Sequence, residues 1–279
     1  NTISGDGTVC KQLVEHDEVA KVMFTGSQAT AQKIIASSSG NMARLTLECG
    51  GNDAAIMLPD ADPAAMAEGL FWGAFINMGQ TCACAKRLYV HESQYEETIR
   101  AINGLADVMP MATGMDEGIV LGPIQNEMQF TKVTDLVEDA KANGARIVTG
   151  GEALDHPGYF YPITLVADIE DGARLVDEEH FGPVLPIIKY TDVEDAIASA
   201  NRLDIGLGGS VWSNDLEAAA RVASRMEAGT VWVNSHGTIH PMVPFGGVKS
   251  SVYGLEFGVE GLKSVSQPQG ISINKPVAA

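Results

Sequence analysis

Glu48, in Leu47-Glu48-Cys49-Gly50-Gly51, and Cys82, in Gly79-Gln80-Thr81-Cys82, stand 34 positions apart and can supply a base and a nucleophile. A deprotonated thiol attacks a carbonyl carbon, and a carboxylate can then activate the water that clears the acyl group from sulfur. These residue types fit acyl chemistry. Taken singly, each has a plainer reading: a lone Cys is more often a small buried hydrophobe, and a Glu before Gly-Gly a charge at a strand end ahead of a turn. The pair acquires meaning only through the elements that position it.

Those elements alternate short apolar runs with helical patterns, as in a parallel α/β sheet. Strands are predicted at 20–24, 44–48, 54–58, 87–91, 146–149, 163–166, 184–190, 209–212 and 230–234. Helices are predicted at 28–39, from the Asp62-Pro63 cap to about Asn77, after a Ser93/Glu96 capping box, and at 125–143, 193–202 and 215–226. Glu48 then ends a strand and Cys82 lies just past a helix. At such a terminus backbone N–H groups can stabilise a thiolate and hold the oxyanion formed when sulfur attacks. The segment 264–275 is β-like and has no evident place in the chain's own core.

Composition narrows the function classes. With 279 residues, 45% of them hydrophobic and 19% charged, the chain can bury a sizeable core in one or two domains. Its 36 acidic residues against 18 basic ones give a formal charge of −18, which repels phosphate backbones and anionic headgroups and argues against nucleic acid and membrane partners. No apolar run is long enough to span a bilayer, and the first residues lack a basic start and an apolar signal core. Cys10, Cys49, Cys82 and Cys84 form no disulfide framework, which favours a reducing, cytoplasmic setting. Cys82-Ala83-Cys84 has no second Cys pair and the six histidines are scattered, so no metal site is expected.

Four motifs in order carry a resemblance to the aldehyde dehydrogenase superfamily: Glu48 with Gly50-Gly51; Gly79-Gln80-Thr81-Cys82; Glu179-His180-Phe181-Gly182-Pro183; and Asn234 followed by Pro244-Phe245-Gly246-Gly247-Val248-Lys249-Ser250-Ser251. The resemblance covers essentially the whole chain and implies an aldehyde dehydrogenase-like parallel-sheet catalytic domain over 49–252. It further implies a truncated Rossmann-type remnant of the NAD(P)-binding domain at 1–48 and a β-like oligomerisation segment at 253–279. It makes Cys82 the nucleophile and Glu48 the base. NAD or NADP would meet Gly26 and Ser27 at a strand-to-helix turn and Glu179 and Phe181 at the nicotinamide ribose, while Asn234 and Phe245 would shape the substrate side. An N-terminal part, with the first cofactor-sheet strands and an oxyanion-holding Asn, would be missing.

The chain departs from the family pattern in places. Cys10 and Ala31 stand where glycines are usual near the cofactor, Cys49 replaces a Leu, Val252 a Gly and Leu255 an Arg. Three readings follow: oxidation of an aldehyde to a carboxylic acid through a Cys82 thioester; cofactor-independent ester hydrolysis by Cys82 and Glu48, which survives loss of the dinucleotide site; or a non-catalytic remnant or partner subunit. The strand at 20–24 or that at 44–48 should expose an unpaired edge, and with the tail this predicts a homo-oligomer.

Overall fold

A computed structural model describes residues 1–275. In chain order the elements are α1 (Gly7–Glu15), β1 (Lys21–Thr25), α2 (Gln28–Ser37), β2 (Arg44–Glu48), β3 (Asp53–Met57), α3 (Pro63–Phe75), β4 (Ala85–His91), α4 (Tyr95–Ala106), α5 (Glu127–Ala142), β5 (Arg146–Thr149), β6 (Thr164–Ala167), α6 (Arg174–Asp177), β7 (Val184–Tyr190), α7 (Val193–Asn201), β8 (Ile205–Gly206), β9 (Gly208–Trp212), α8 (Leu216–Ala223), β10 (Thr230–Val233), β11 (Val248–Lys249), β12 (Val252–Tyr253) and α9 (Gly258–Ser264).

Seven strands form the main sheet in the order β10-β9-β3-β4-β7-β6-β5, parallel throughout except where β5 runs antiparallel to β6. Alternation along its strands sends Ile56, Tyr89 and Val211 into one apolar layer and Met57, Leu88 and Val90 into another. A sheet covered on both faces explains why β3 is buried at every position and reads as a continuous apolar run. α3 starts where Asp62 accepts from the Ala64 and Ala65 backbone N–H groups at 2.9 and 3.2 Å, with Pro63 at the first helical position. α5 is capped in the same way by Asn126 on the Gln129 N–H.

A second sheet, in the order β1-β2-β12, carries Glu48. β1 and β2 are parallel; β12 returns antiparallel and sets Val252 opposite Glu48. This strand straddles the boundary expected at 252/253. Of the two strands expected to expose an edge, Arg44–Glu48 is paired on both sides, while β1 is paired on one side only among the described residues. Among the described residues the β-like tail is not a strand either: α9 runs to Ser264 and no regular structure follows to residue 275, leaving Ile271 and Ile273 exposed. A strand needs a partner edge, and among the described residues the tail pairs with none. Residues 276–279 of that segment lie outside the described residues.

One local expectation also changes. Ser93 and Glu96 form no capping box; β4 runs into a short turn where the Ser93 N–H donates to His91 Nδ1, and Glu96 pairs with Arg146 at 2.6 Å. The stretch after Gly5 is helical, since Asp6 accepts from the Thr8 N–H and opens α1.

Candidate active site

Three turns meet at the junction of the two sheets. The first follows β2: the Cys49 N–H donates to the Ser251 carbonyl at 2.8 Å, and the Ser251 hydroxyl donates to the Gly50 carbonyl at 3.0 Å while accepting from the Gly206 N–H at 2.9 Å. Ser251 is fully buried and pins the turn that carries the base. The second turn leaves α3 through Asn77, Met78 and Gly79, all left-handed with φ of +50°, +61° and +66°. Two non-glycine residues in that region store strain of about 1 kcal/mol or more each, and strain of this kind gathers at functional sites. Gly79 is required there, because a Cβ would overlap the Gly182 carbonyl of the third turn. Paired bonds between Asn77 and Gln80, and the Gln125 N–H on Gln80 Oε1, fasten the segment just before Cys82.

Lys86, the second residue of β4, joins these turns. It is fully buried, and its ammonium donates to the carbonyls of Gly51 (3.2 Å), Thr81 (2.8 Å) and Cys82 (2.9 Å) and lies 3.3 Å from Glu179 Oε1. The Phe181 ring centre is 5.5 Å from the same nitrogen. The turns leave no slack: a Cβ on Gly51 would lie 2.9 Å from the Cys82 carbonyl oxygen, and one on Gly50 would collide with the Glu179 carboxylate.

The structure thus brings Glu48, Cys82, Glu179 and Phe181 together. Glu48 is 4% exposed and neither carboxylate oxygen has a hydrogen-bond partner among the described residues. Burial, reinforced by the Glu256 charge, pushes its pKa up to about 7. Such a carboxyl is balanced between acid and base near neutrality. Cys82 is half-buried, and desolvation raises its thiol above the ordinary value; the Lys86 charge and the backbone N–H groups of Ala83 and Cys82 itself pull it back. The turn's N–H groups therefore do act on the sulfur as expected, but burial outweighs them.

Phe245 is buried with Ala83, Leu207 and Trp232, and Cys82 and Val252 pack against that cluster. Asn234 has left-handed backbone (φ +52°), and Ser213 engages both ends of its side chain: the Ser213 N–H donates to Oδ1 at 2.9 Å and Nδ2 donates to the Ser213 carbonyl at 2.8 Å. Its contribution to the site is the path of the backbone beyond β10. Gly26 touches the centre through the main chain, its N–H donating to the Glu48 carbonyl at 2.9 Å. Ser27 caps α2 at the surface, accepting from the Thr30 N–H at 3.3 Å. Asp177, Glu178 and Glu179 are no free acidic run, since they pair with Arg202, Arg174 and Lys86 respectively.

Sequence reasoning passed over Lys86, Ser251 and a buried pair in which His236 Nε2 lies 3.4 Å from Asp53 Oδ2 and Nδ1 shares a 2.9 Å bond with the Ser210 hydroxyl. It also passed over His180, fully buried within the Glu179–Phe181 motif and pushed down to about 3 by burial and the nearby Lys86 charge, hence neutral. Among the described residues no group of three or more His, Cys, Asp or Glu is placed to hold a metal ion, and no helix is long and apolar enough to cross a membrane.

A base and a thiol on turns clamped together, beside an acidic residue in the third motif, match one family along nearly the whole chain: the sequence profile of the aldehyde dehydrogenase family covers residues 1–271. The chain belongs to the aldehyde dehydrogenase family. It is 37% identical to phenylacetaldehyde dehydrogenase of Pseudomonas fluorescens over 98% of its own length and 55% of that protein. With human retinaldehyde dehydrogenase 3 it shares 35% identity, over 98% of this chain and 54% of the relative. Among solved structures, betaine aldehyde dehydrogenase of Staphylococcus aureus in complex with NAD+ superposes with a TM-score of 0.88 at 32% identity, covering 94% of this chain and 53% of the other. A lactaldehyde dehydrogenase gives 0.92 at 30% identity, over 96% and 56%. This aldehyde dehydrogenase chain therefore spans little more than half the length of the relatives it matches.

Proposed function

We propose that this chain supplies the nucleophile, the base and the ribose-facing carboxylate for NAD(P)-dependent oxidation of an aldehyde to a carboxylic acid. One observation carries the reading: Glu48, buried and without a hydrogen-bond partner, hangs from a turn that shares the Lys86 ammonium with the turn of Cys82. The Cys82 thiolate adds to the aldehyde carbon, and backbone N–H groups at the Cys82 turn face the oxyanion. A dinucleotide held by Glu179 and the Gly26-Ser27 turn would supply the hydride acceptor for that carbon. The resulting Cys82 thioester is opened by water whose proton passes to Glu48, which frees the acid and restores the thiolate. Residues suited to the cofactor are present. Glu179 keeps a buried Oε1 without a hydrogen bond, Phe181 lies beside it, and the exposed turn Gly26-Ser27 at the start of α2 adjoins an apolar groove of about 780 Å³ between α1, β1 and α2. Of the two departures near the cofactor turn, the Ala31 methyl is buried with Leu47 and Ile34, whereas Cys10 lines this groove from α1.

Ester hydrolysis is the second reading, favoured because Cys82 and Glu48 are held by Lys86 and Ser251 and require nothing from the groove. Two assays separate the readings: NAD(P)H formation with an aldehyde, and p-nitrophenyl ester hydrolysis without cofactor. Hydrolysis without NAD(P)H formation would favour the second reading, and NAD(P)H formation the first. Neither activity would leave a non-catalytic partner subunit. The same account includes self-association in solution, through the open edge of β1 and the exposed 264–275 segment; a single species at the 29.5 kDa chain mass in sedimentation at micromolar concentration would refute it.

A further inference from the structure

Lys86 has a chemical peculiarity that its place in a strand hides. A lysine is almost never fully buried unless its charge is paired, and an ammonium has three N–H donors. Here all three are taken by main-chain carbonyls, those of Gly51, Thr81 and Cys82, so the Glu179 carboxylate at 3.3 Å balances charge more than it completes the bonding. Two of these carbonyls flank the nucleophile turn, and the third closes the turn that begins at Glu48. The neighbouring Arg87 points the other way, to the carbonyls of Asn52, Ser199 and Ala200, so the sheet core and the site are held by successive cations on opposite faces of β4.

We infer that Lys86 is the positioning residue of the nucleophile: one buried ammonium fixes the turns of Glu48 and Cys82 against each other and provides the positive charge that stabilises the Cys82 thiolate. The inference rests on the covalent role proposed for Cys82. Burial works against the charge on Lys86, but the neighbouring Cys84, Glu179 and Asp53 outweigh it and hold its pKa above the ordinary value. Of the other groups around the centre, Asp53 on β3 opposes the thiolate and is itself faced by His236, Glu179 partly neutralises Lys86, and His180 is neutral. The sulfur therefore responds to the balance between Lys86 and Glu179. An opposite charge beside an ionisable group lowers its pKa by about 1 or more.

The test is the pH dependence of iodoacetamide alkylation at Cys82, followed by peptide mass with fragment localisation, in the wild type, Lys86→Met and Glu179→Gln. Exposed Cys10 serves as the internal reference. Lys86→Met should raise the Cys82 midpoint by about one pH unit or more, slowing alkylation below the midpoint about tenfold. Glu179→Gln should lower the midpoint, because the ammonium loses its counter-charge, and Cys10 should not move. A merely structural lysine would shift both variants in one direction or neither, and either result overturns the inference. If Lys86→Met unfolds, seen as buried Cys49 and Cys84 alkylating as fast as Cys10, the Glu179→Gln arm decides, and a midpoint that fails to fall overturns it. These midpoints involve neither substrate nor cofactor. A Cys82→Ala variant that still hydrolysed esters would refute the covalent role while leaving the shifts in place.

Discussion

Replacing Glu48 by Gln should make the protein more stable above neutral pH while crippling turnover. A carboxyl with a raised folded-state pKa holds its proton more tightly when folded. Its favourable contribution is complete below the unfolded value of 4.5 and is lost as pH rises through about 7. At about 1.4 kcal/mol per pH unit, that interval corresponds to about 3 kcal/mol withdrawn from the folded state once Glu48 ionises. At 4% exposure, with neither oxygen hydrogen-bonded among the described residues, solvent does little to relieve it. Gln cannot ionise. In urea titrations the stability of Glu48→Gln relative to wild type should therefore climb by about 3 kcal/mol between pH 3.5 and pH 8.5. Any constant effect of placing an amide there cancels between the two pH values. A relative stability that stayed level, or fell, would show that Glu48 is solvated or paired and would remove the physical basis for calling it the base.

The remaining expectations concern the neighbours of that carboxyl and the frame that holds it. Cys82→Ala should abolish acyl transfer, whereas Cys84→Ala and Cys49→Ala should keep most of it; undiminished ester turnover by Cys82→Ala would end the covalent account. Glu256→Gln removes the lesser of the two effects that raise Glu48, so the pH at which deacylation reaches half its maximum should fall, by less than about one unit. Arg87→Met strips the partner from the Asn52, Ser199 and Ala200 carbonyls in the interior and should destabilise the chain by about 3 kcal/mol, read as a shifted urea midpoint.

Much of the frame was legible because buried parallel strands and capped helices leave strong local patterns: β2 and β7 fall at the predicted residues, and Asp62-Pro63 opens α3 as read. What stayed hidden depends on distant partners. Lys86 beside Arg87 reads as a charged strand end, and only the Gly51 carbonyl, 35 residues earlier, joined to those of Thr81 and Cys82, makes it a buried clamp. Ser251 is one serine of a pair until its bonds to Gly50 and Gly206 are seen. β12 is two residues long, too short for an alternation, yet it sets Val252 opposite Glu48 and against the apolar cluster that Cys82 also meets. Val252 and Leu255, odd as departures from the family pattern, meet over Gly246, where their side chains take up the room a Cβ would need. The left-handed turn at Asn77 and Met78 has no signature besides the glycine that follows. The tail read as β-like because alternating isoleucines favour a strand, but it lies along no edge among the described residues and that preference goes unused.

The central claim is that Cys82 carries the acyl group and Glu48 releases it. Mixing the Glu48→Gln variant with p-nitrophenyl acetate and following both released nitrophenol and protein mass tests it most directly. The account predicts a burst of about one nitrophenol per chain, a slow steady phase, and one acetyl group held on the peptide that contains Cys82. A burst that shrank together with the steady rate, or an acetyl group on any other residue, would contradict it.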